Sequence, residues 1–230
     1  MSEEAEQSTP VVLVTGACGG IGSAVSRLLA SQGWCVVLIG RSPRKLDRLC
    51  DQIEQEGGEP PVIYPLNLEG ATPDDYAELN DKLVQEFGKL DALVHCAATF
   101  QGLKPLLQTP ADQWLRIVHV NLSAPVFLTT ALQPALAASP AGRVLFTIED
   151  AARTNKAYWG GYGVSKAGLA GAADILAAEW ESSTIKVLKV VPPPTATRLR
   201  ASAYPGESAE ALADPDEVAK LYAAMLHNGP

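Results

Sequence analysis

Six short apolar runs punctuate the chain: VVLVT (11–15), CVVLIG (35–40), PVIYPL (61–66), LDALVHC (90–96), GRVLFTI (142–148) and IKVLKVV (185–191). Most are near-continuous in Val, Leu and Ile rather than alternating, the pattern of strands covered on both faces. Between them lie amphipathic stretches such as GSAVSRLLASQG, DDYAELNDKLVQEFG and DQWLRIVHVNLSAPVFLTTALQPALAA, the last predicting one long helix around Asn121. Strand–helix alternation predicts a parallel sheet with helices on both faces, and right-handed crossovers make it doubly wound. No internal repeat, low-complexity tract or linker divides the pattern, and 230 residues suit one α/β domain. That domain is predicted over 10–230, after an acidic, polar lead over 1–9 that reads as disordered and as neither a signal nor a transit peptide.

Composition narrows the picture by exclusion. Hydrophobic residues make up 47% and charged residues 19%, which is ordinary for a soluble domain. A net charge of −8 argues against nucleic acid, whose affinity comes from clustered Lys and Arg. No apolar run reaches the roughly 20 residues of a membrane span. Cys18, Cys35, Cys50 and Cys96 have no metal-ligand spacing, and His95, His119 and His227 are scattered, so no metal site is expected. Reduced thiols and a cytoplasmic location are the expectation.

Candidate chemistry begins with TGACGGIG, Thr15–Gly22, between the first strand and the first helix. Glycines at 16, 20 and 22 permit a tight turn and let a pyrophosphate approach the backbone at a helix N-terminus, although a purely structural turn has the same composition. Tyr162 and Lys166 stand four apart in a helix-forming segment, YGVSKAGLAGAADILAAEW, and so share a face. A tyrosine with its ordinary pKa of about 10 needs a shift of roughly 3 units, about 4 kcal/mol, to exchange protons near neutrality. An ammonium such as Lys166 supplies a field of the right sign.

The glycine spacing, TGxxxGxG, resembles that of the short-chain dehydrogenase/reductase family, as does the YxxxK pair at Tyr162 and Lys166. Asn121 in HVNLSAPVFLT resembles the family's helix-four asparagine, and PPPTAT resembles its PGxxxT segment, with Thr197 at the threonine. The likeness runs from residue 11 to about 225, and RLRASAYPGE further resembles the YciK-like bacterial subgroup. It implies a Rossmann fold, here with the seventh strand absent, and a nicotinamide cofactor. Gly16, Cys18, Gly20, Ile21, Gly22, Arg41, Asn67, Leu68, Ala97, Lys166 and Thr197 would then hold that cofactor. Lys166 would also bind the nicotinamide ribose, and Asn121 would anchor a water in a proton relay. Gly40 replaces the acid that would bind a ribose 2′-hydroxyl, and Arg41, Arg44 and Lys45 follow, which selects NADP(H) over NAD(H). Family likeness also implies a homodimer or homotetramer.

The departures lie at the reactive end. The family serine that contacts the substrate oxygen falls at Glu149, flanked by Thr147 and Asp150. An ionised carboxylate cannot donate a hydrogen bond, and it repels a developing oxyanion. Three explanations stand open: a protonated Glu149, a register change that brings in Thr147, or a site that binds cofactor without turnover. Ala98 replaces a glycine of the family's NNAG, and Pro193 the glycine of PGxxxT. The expected activity is hydride transfer between NADP(H) and a carbonyl or alcohol, through Tyr162, Lys166, Asn121 and Glu149. The segment around 195–213 is expected to cover the substrate. The rival is a nucleotide-binding regulatory or scaffold protein of the same fold.

Overall fold

The computed structural model describes residues 9–227, so all but the last residue of the expected N-terminal lead lies outside it. The six apolar runs form β1 (Val11–Thr15), β2 (Cys35–Gly40), β3 (Val62–Pro65), β4 (Ala92–His95), β5 (Arg143–Thr147) and β6 (Lys186–Val190). They lie in one sheet in the order β3-β2-β1-β4-β5-β6, every pairing parallel. The order reverses between β1 and β4, and a crevice opens there at the carboxyl ends of the strands, where ligands bind in such sheets.

Alternation along each strand divides the core into two layers. Val12 and Val14 of β1 pack with α1 (Gly20–Ser31), α2 (Pro43–Gln55) and the last helix, which carries buried Tyr222. Val11 and Leu13 face the other layer, with α3 (Pro73–Phe87). A capping box fixes the start of α3: Thr72 and Asp75 exchange side-chain and backbone hydrogen bonds, and Gly88 closes it in the left-handed conformation.

The predicted long helix around Asn121 is broken into α4 (Ala111–Val118), a π-helical turn (His119–Ser123), α5 (Ala124–Ala131) and α6 (Gln133–Ala137). Its amphipathic period runs through the breaks, but two prolines do not fit an unbroken helix. Pro125 has no N–H for the carbonyl four residues back, which belongs to Asn121, and Pro134 likewise fails Thr130. In the π turn Ala124 N–H donates to the His119 carbonyl, five residues back. Among the described residues four further α-helices follow: α7 (Ala151–Thr154), α8 (Gly160–Glu179), α9 (Arg198–Ala203) and α10 (Pro215–His227). A bridge from Thr195 to Ala213 joins the two ends of the expected substrate segment.

Candidate active site

The glycine loop is shaped by two close approaches. Gly16 has φ +65°, and a Cβ there would lie 2.6 Å from the Ala97 Cα. At Gly22 a Cβ would lie 2.3 Å from the Gly16 carbonyl oxygen, which already accepts the Gly19 N–H at 2.8 Å. The loop thus bends tightly onto the end of β4 and presents the N-terminus of α1 to a groove of about 960 Å³. Every cofactor residue expected from the sequence lines this groove: Gly16, Cys18, Gly20, Ile21, Gly22, Arg41, Asn67, Leu68, Ala97, Lys166 and Thr197. A backbone cradle that no side chain could occupy, at a helix N-terminus, fits a diphosphate.

At the end nearest β2, Arg41, Lys45 and Arg48 line the groove, whereas Arg44 does not. Among the described residues none of the three has a carboxylate within 4.0 Å, while the neighbouring Arg27 is paired with both Glu56 and Asp216. Unpaired positive charge beside a cleft suits a phosphate. Arg48 was not singled out by sequence, although its position one helical turn beyond Lys45 was the available signal.

At the other end stand Tyr162, Lys166, Glu149 and Thr147, all lining the groove. Tyr162 is 2% exposed, and its hydroxyl donates to Glu149 Oε1 at 2.8 Å. Arg153 Nη1 reaches the other carboxylate oxygen, Oε2, at 3.3 Å. Lys166 Nζ, equally buried, donates to the Thr147 carbonyl at 2.7 Å and lies 5.9 Å from the Tyr162 ring centroid. The two adjacent acids divide their roles, since Asp150 Oδ1 accepts the Ala152 N–H and caps α7. The Thr147 hydroxyl turns to Tyr222, 2.9 Å away, so the contact to the phenol belongs to Glu149 and not to Thr147.

This arrangement reverses the expected effect on Tyr162. Burial pushes its phenol well above the ordinary value, the charge and hydrogen bond of Glu149 push it further, and Arg153 opposes them. Lys166 is not among the groups that move it. Burial brings the Lys166 ammonium itself down to about 8, against the pull of Glu149 and Cys96. The phenol is therefore a held proton donor rather than a ready base.

Asn121 is fully buried and does not line the groove. Its Oδ1 accepts the Thr99 N–H at 2.7 Å, and its Nδ2 donates to the Thr99 carbonyl at 2.9 Å and to Ser165 Oγ at 3.1 Å. It ties the segment after β4 to α8 one residue before Lys166. Of the other departures, Ala98 lines the groove, and the Pro193 carbonyl accepts the Thr195 hydroxyl at 2.6 Å. His95 is buried with Nε2 2.8 Å from the Thr129 hydroxyl, which itself donates to the Pro125 carbonyl. Burial, with Lys166 nearby, lowers this imidazole to about 3, so it is neutral.

The model of the short chain dehydrogenase family matches residues 10–208. The chain belongs to that family. This short-chain dehydrogenase is 32% identical over 216 residues to the uncharacterized oxidoreductase YciK of Escherichia coli K12, covering 94% of this chain and 85% of that protein. A short chain dehydrogenase of Shigella flexneri 2a, solved with NADP, superposes with a TM-score of 0.90 at 32% identity. The match covers 94% of this chain and 90% of that one. One from Escherichia coli CFT073, solved with NADPH, matches with the same TM-score, identity and coverage. Relatives named as oxidoreductases do not favour the regulatory or scaffold reading. Among the described residues no helix is long and apolar enough to cross a membrane.

Proposed function

We propose that this chain is an NADP(H)-dependent oxidoreductase that reduces a carbonyl substrate to an alcohol. One observation carries the reading: a proton-bearing phenol, Tyr162, with Lys166 one turn on, opens into the same groove as the glycine cradle. Gly16, Gly20 and Gly22 would hold the diphosphate, with Arg41 and Lys45 on a 2′-phosphate and Asn67 and Leu68 on the adenine. Lys166 would hold the nicotinamide ribose, with Ala97 and Thr197 nearby. The solved relatives with NADP and NADPH support this cofactor. When bound, NADPH supplies the hydride.

The chain's own part is proton transfer and charge. As negative charge develops on the carbonyl oxygen, that oxygen replaces Glu149 Oε1 as the acceptor of the Tyr162 proton. The high proton affinity keeps the phenol protonated at neutral pH, and the transfer still runs toward the substrate because an alkoxide is the stronger base. Arg153, the group that opposes the raised proton affinity of the phenol, offsets the charge left behind, while Lys166 would serve through the nicotinamide ribose. Asn121 braces Thr99 and Ser165 through its amide, and in this reading it anchors the relay water. The segment 195–213 is the substrate cover in this reading. Four free cysteines suit a reducing cytoplasm, and exposed Leu115, Phe127, Val164 and Ile175 suit self-association.

Calorimetric titration with NADPH and NADH, followed by a carbonyl panel read by loss of NADPH absorbance, tests the proposal. NADPH binds more tightly, and Tyr162→Phe abolishes turnover while keeping NADPH affinity. Tighter NADH binding, or turnover that survives in Tyr162→Phe, refutes it.

A further inference from the structure

A carboxylate against the proton donor is the feature that most needs a physical explanation. Lys166 Nζ is engaged by the Thr147 carbonyl, and the Arg200 guanidinium is held by both oxygens of Glu207 at 2.6 Å. That leaves Arg153 as the cation in direct contact with Glu149 among the described residues, at 3.3 Å with both side chains mostly buried. Its place is built into the backbone. Asp150 caps α7, so that Arg153 stands one turn after Glu149. The Thr154 side chain, next to Arg153, is buried and returns a hydrogen bond to the Asp150 carbonyl at 3.2 Å. Gly163, next to Tyr162, lets α7 close on α8: a Cβ there would lie 2.4 Å from the Thr154 carbonyl oxygen.

We propose that Arg153 is a positioning residue: by pairing with Oε2 it offsets the charge of Glu149 and aims Oε1 at the phenol, so that Tyr162 keeps a deliverable proton beside an acid. Glu149 and Arg153 then act as one unit in the place of a neutral donor, and the carboxylate is not tolerated without the arginine. The sign agrees with the opposing influence of Arg153 on the phenol. An unneutralised carboxylate would grip the proton and repel the substrate oxyanion. This inference rests on the carbonyl-reductase reading for its kinetic consequence, but not for its structural one.

The test is a double-mutant cycle with two readouts. In kinetics, Arg153→Ala lowers kcat by at least about tenfold with KM and NADPH affinity little changed, and Arg153→Lys restores most of the rate. In a Glu149→Gln background, Arg153→Ala changes kcat by less than about twofold. The second readout needs neither cofactor nor substrate. The ¹³Cζ resonance of Tyr162, assigned by its loss in Tyr162→Phe, shifts at neutral pH in Arg153→Ala and not in Arg153→Lys. In the Glu149→Gln background, the arginine change leaves that resonance still. If the wild type reduces no carbonyl yet the resonance behaves as stated, the reductase reading fails and the positioning role stands. An unmoved resonance in Arg153→Ala, or equal losses of kcat with and without Glu149, overturns it.

Discussion

The same substitution, glycine to alanine inside a helix, should have opposite signs at two positions of this chain. Gly171 lies on the exposed side of α8, and a Cβ there meets nothing within 4 Å. Alanine then contributes only its helix preference and a less flexible unfolded chain, a gain of about 0.4–1 kcal/mol. Gly22 lies in the first turn of α1, where the same preference applies. There the new methyl would stand 2.3 Å from the Gly16 carbonyl, against the 3.4–4 Å of an ordinary contact. That oxygen belongs to backbone held by Gly19 and by the φ +65° turn at Gly16, so it cannot move aside as a side chain would. Overpacking of this kind costs about 1–3 kcal/mol and sometimes more. It outweighs the helix gain and leaves a net loss of about 1–2 kcal/mol. For a domain of this size the midpoint temperature should fall by roughly 2–8 °C in Gly22→Ala and rise by roughly 1–4 °C in Gly171→Ala. Scanning calorimetry measures both, and NADPH titration provides the functional arm. Gly22→Ala should weaken NADPH by at least about tenfold, since the displaced loop is the diphosphate cradle, while Gly171→Ala leaves affinity unchanged. A Gly22→Ala protein as stable as the parent, with unchanged affinity, would refute the close-packed loop and its assignment together.

Other consequences can be measured on the same preparation. Lys166→Met should lower kcat by at least about a hundredfold and yet leave thermal stability equal or higher, because burial of its ammonium is unfavourable. The folded-state value of Lys166, about 8, lies below its ordinary 10.5, so the native state loses that proton first. Its cost to folding is complete below pH 8 and is relieved between pH 8 and 10.5; urea denaturation across that window should show this contribution in the wild type and its loss in Lys166→Met. Activity that depends on the ammonium should fall as pH rises through about 8, and a rate rising through that range would contradict the role of Lys166. Arg41→Ala should weaken NADPH by about tenfold or more and leave NADH unchanged; equal losses for both would remove Arg41 from the 2′-phosphate. Glu149→Ser should keep NADPH affinity and permit a carbonyl reduction at least as fast as the parent's, and its failure across a carbonyl panel would show the carboxylate to be required.

What the sequence determined by itself is what local chemistry dictates. Near-continuous apolar runs of strand length have few places to go except a covered parallel sheet, and all six formed strands. Glycines after the first strand can be placed from sequence because φ +65° at Gly16 and the close approach at Gly22 exclude a side chain. A tyrosine and lysine at helical spacing share a face whatever surrounds the helix. The long helix was misread because its apolar period continues through Pro125 and Pro134, and only the hydrogen-bond pattern shows where the backbone departs from it. Tertiary structure decided the electrostatics, because a pKa depends on burial and on neighbours distant in sequence. The same Tyr162 and Lys166 could have made a depressed phenol. Instead, burial and the end of β5 set Glu149 against the hydroxyl and hold the phenol protonated. The partners of Asn121, Thr99 and Ser165, lie 22 and 44 residues away, and no spacing rule finds them. Arg153 is the intermediate case: its four-residue offset from Glu149 was visible, but only the packing of α7 on α8 at Gly163 brings that pair to the phenol.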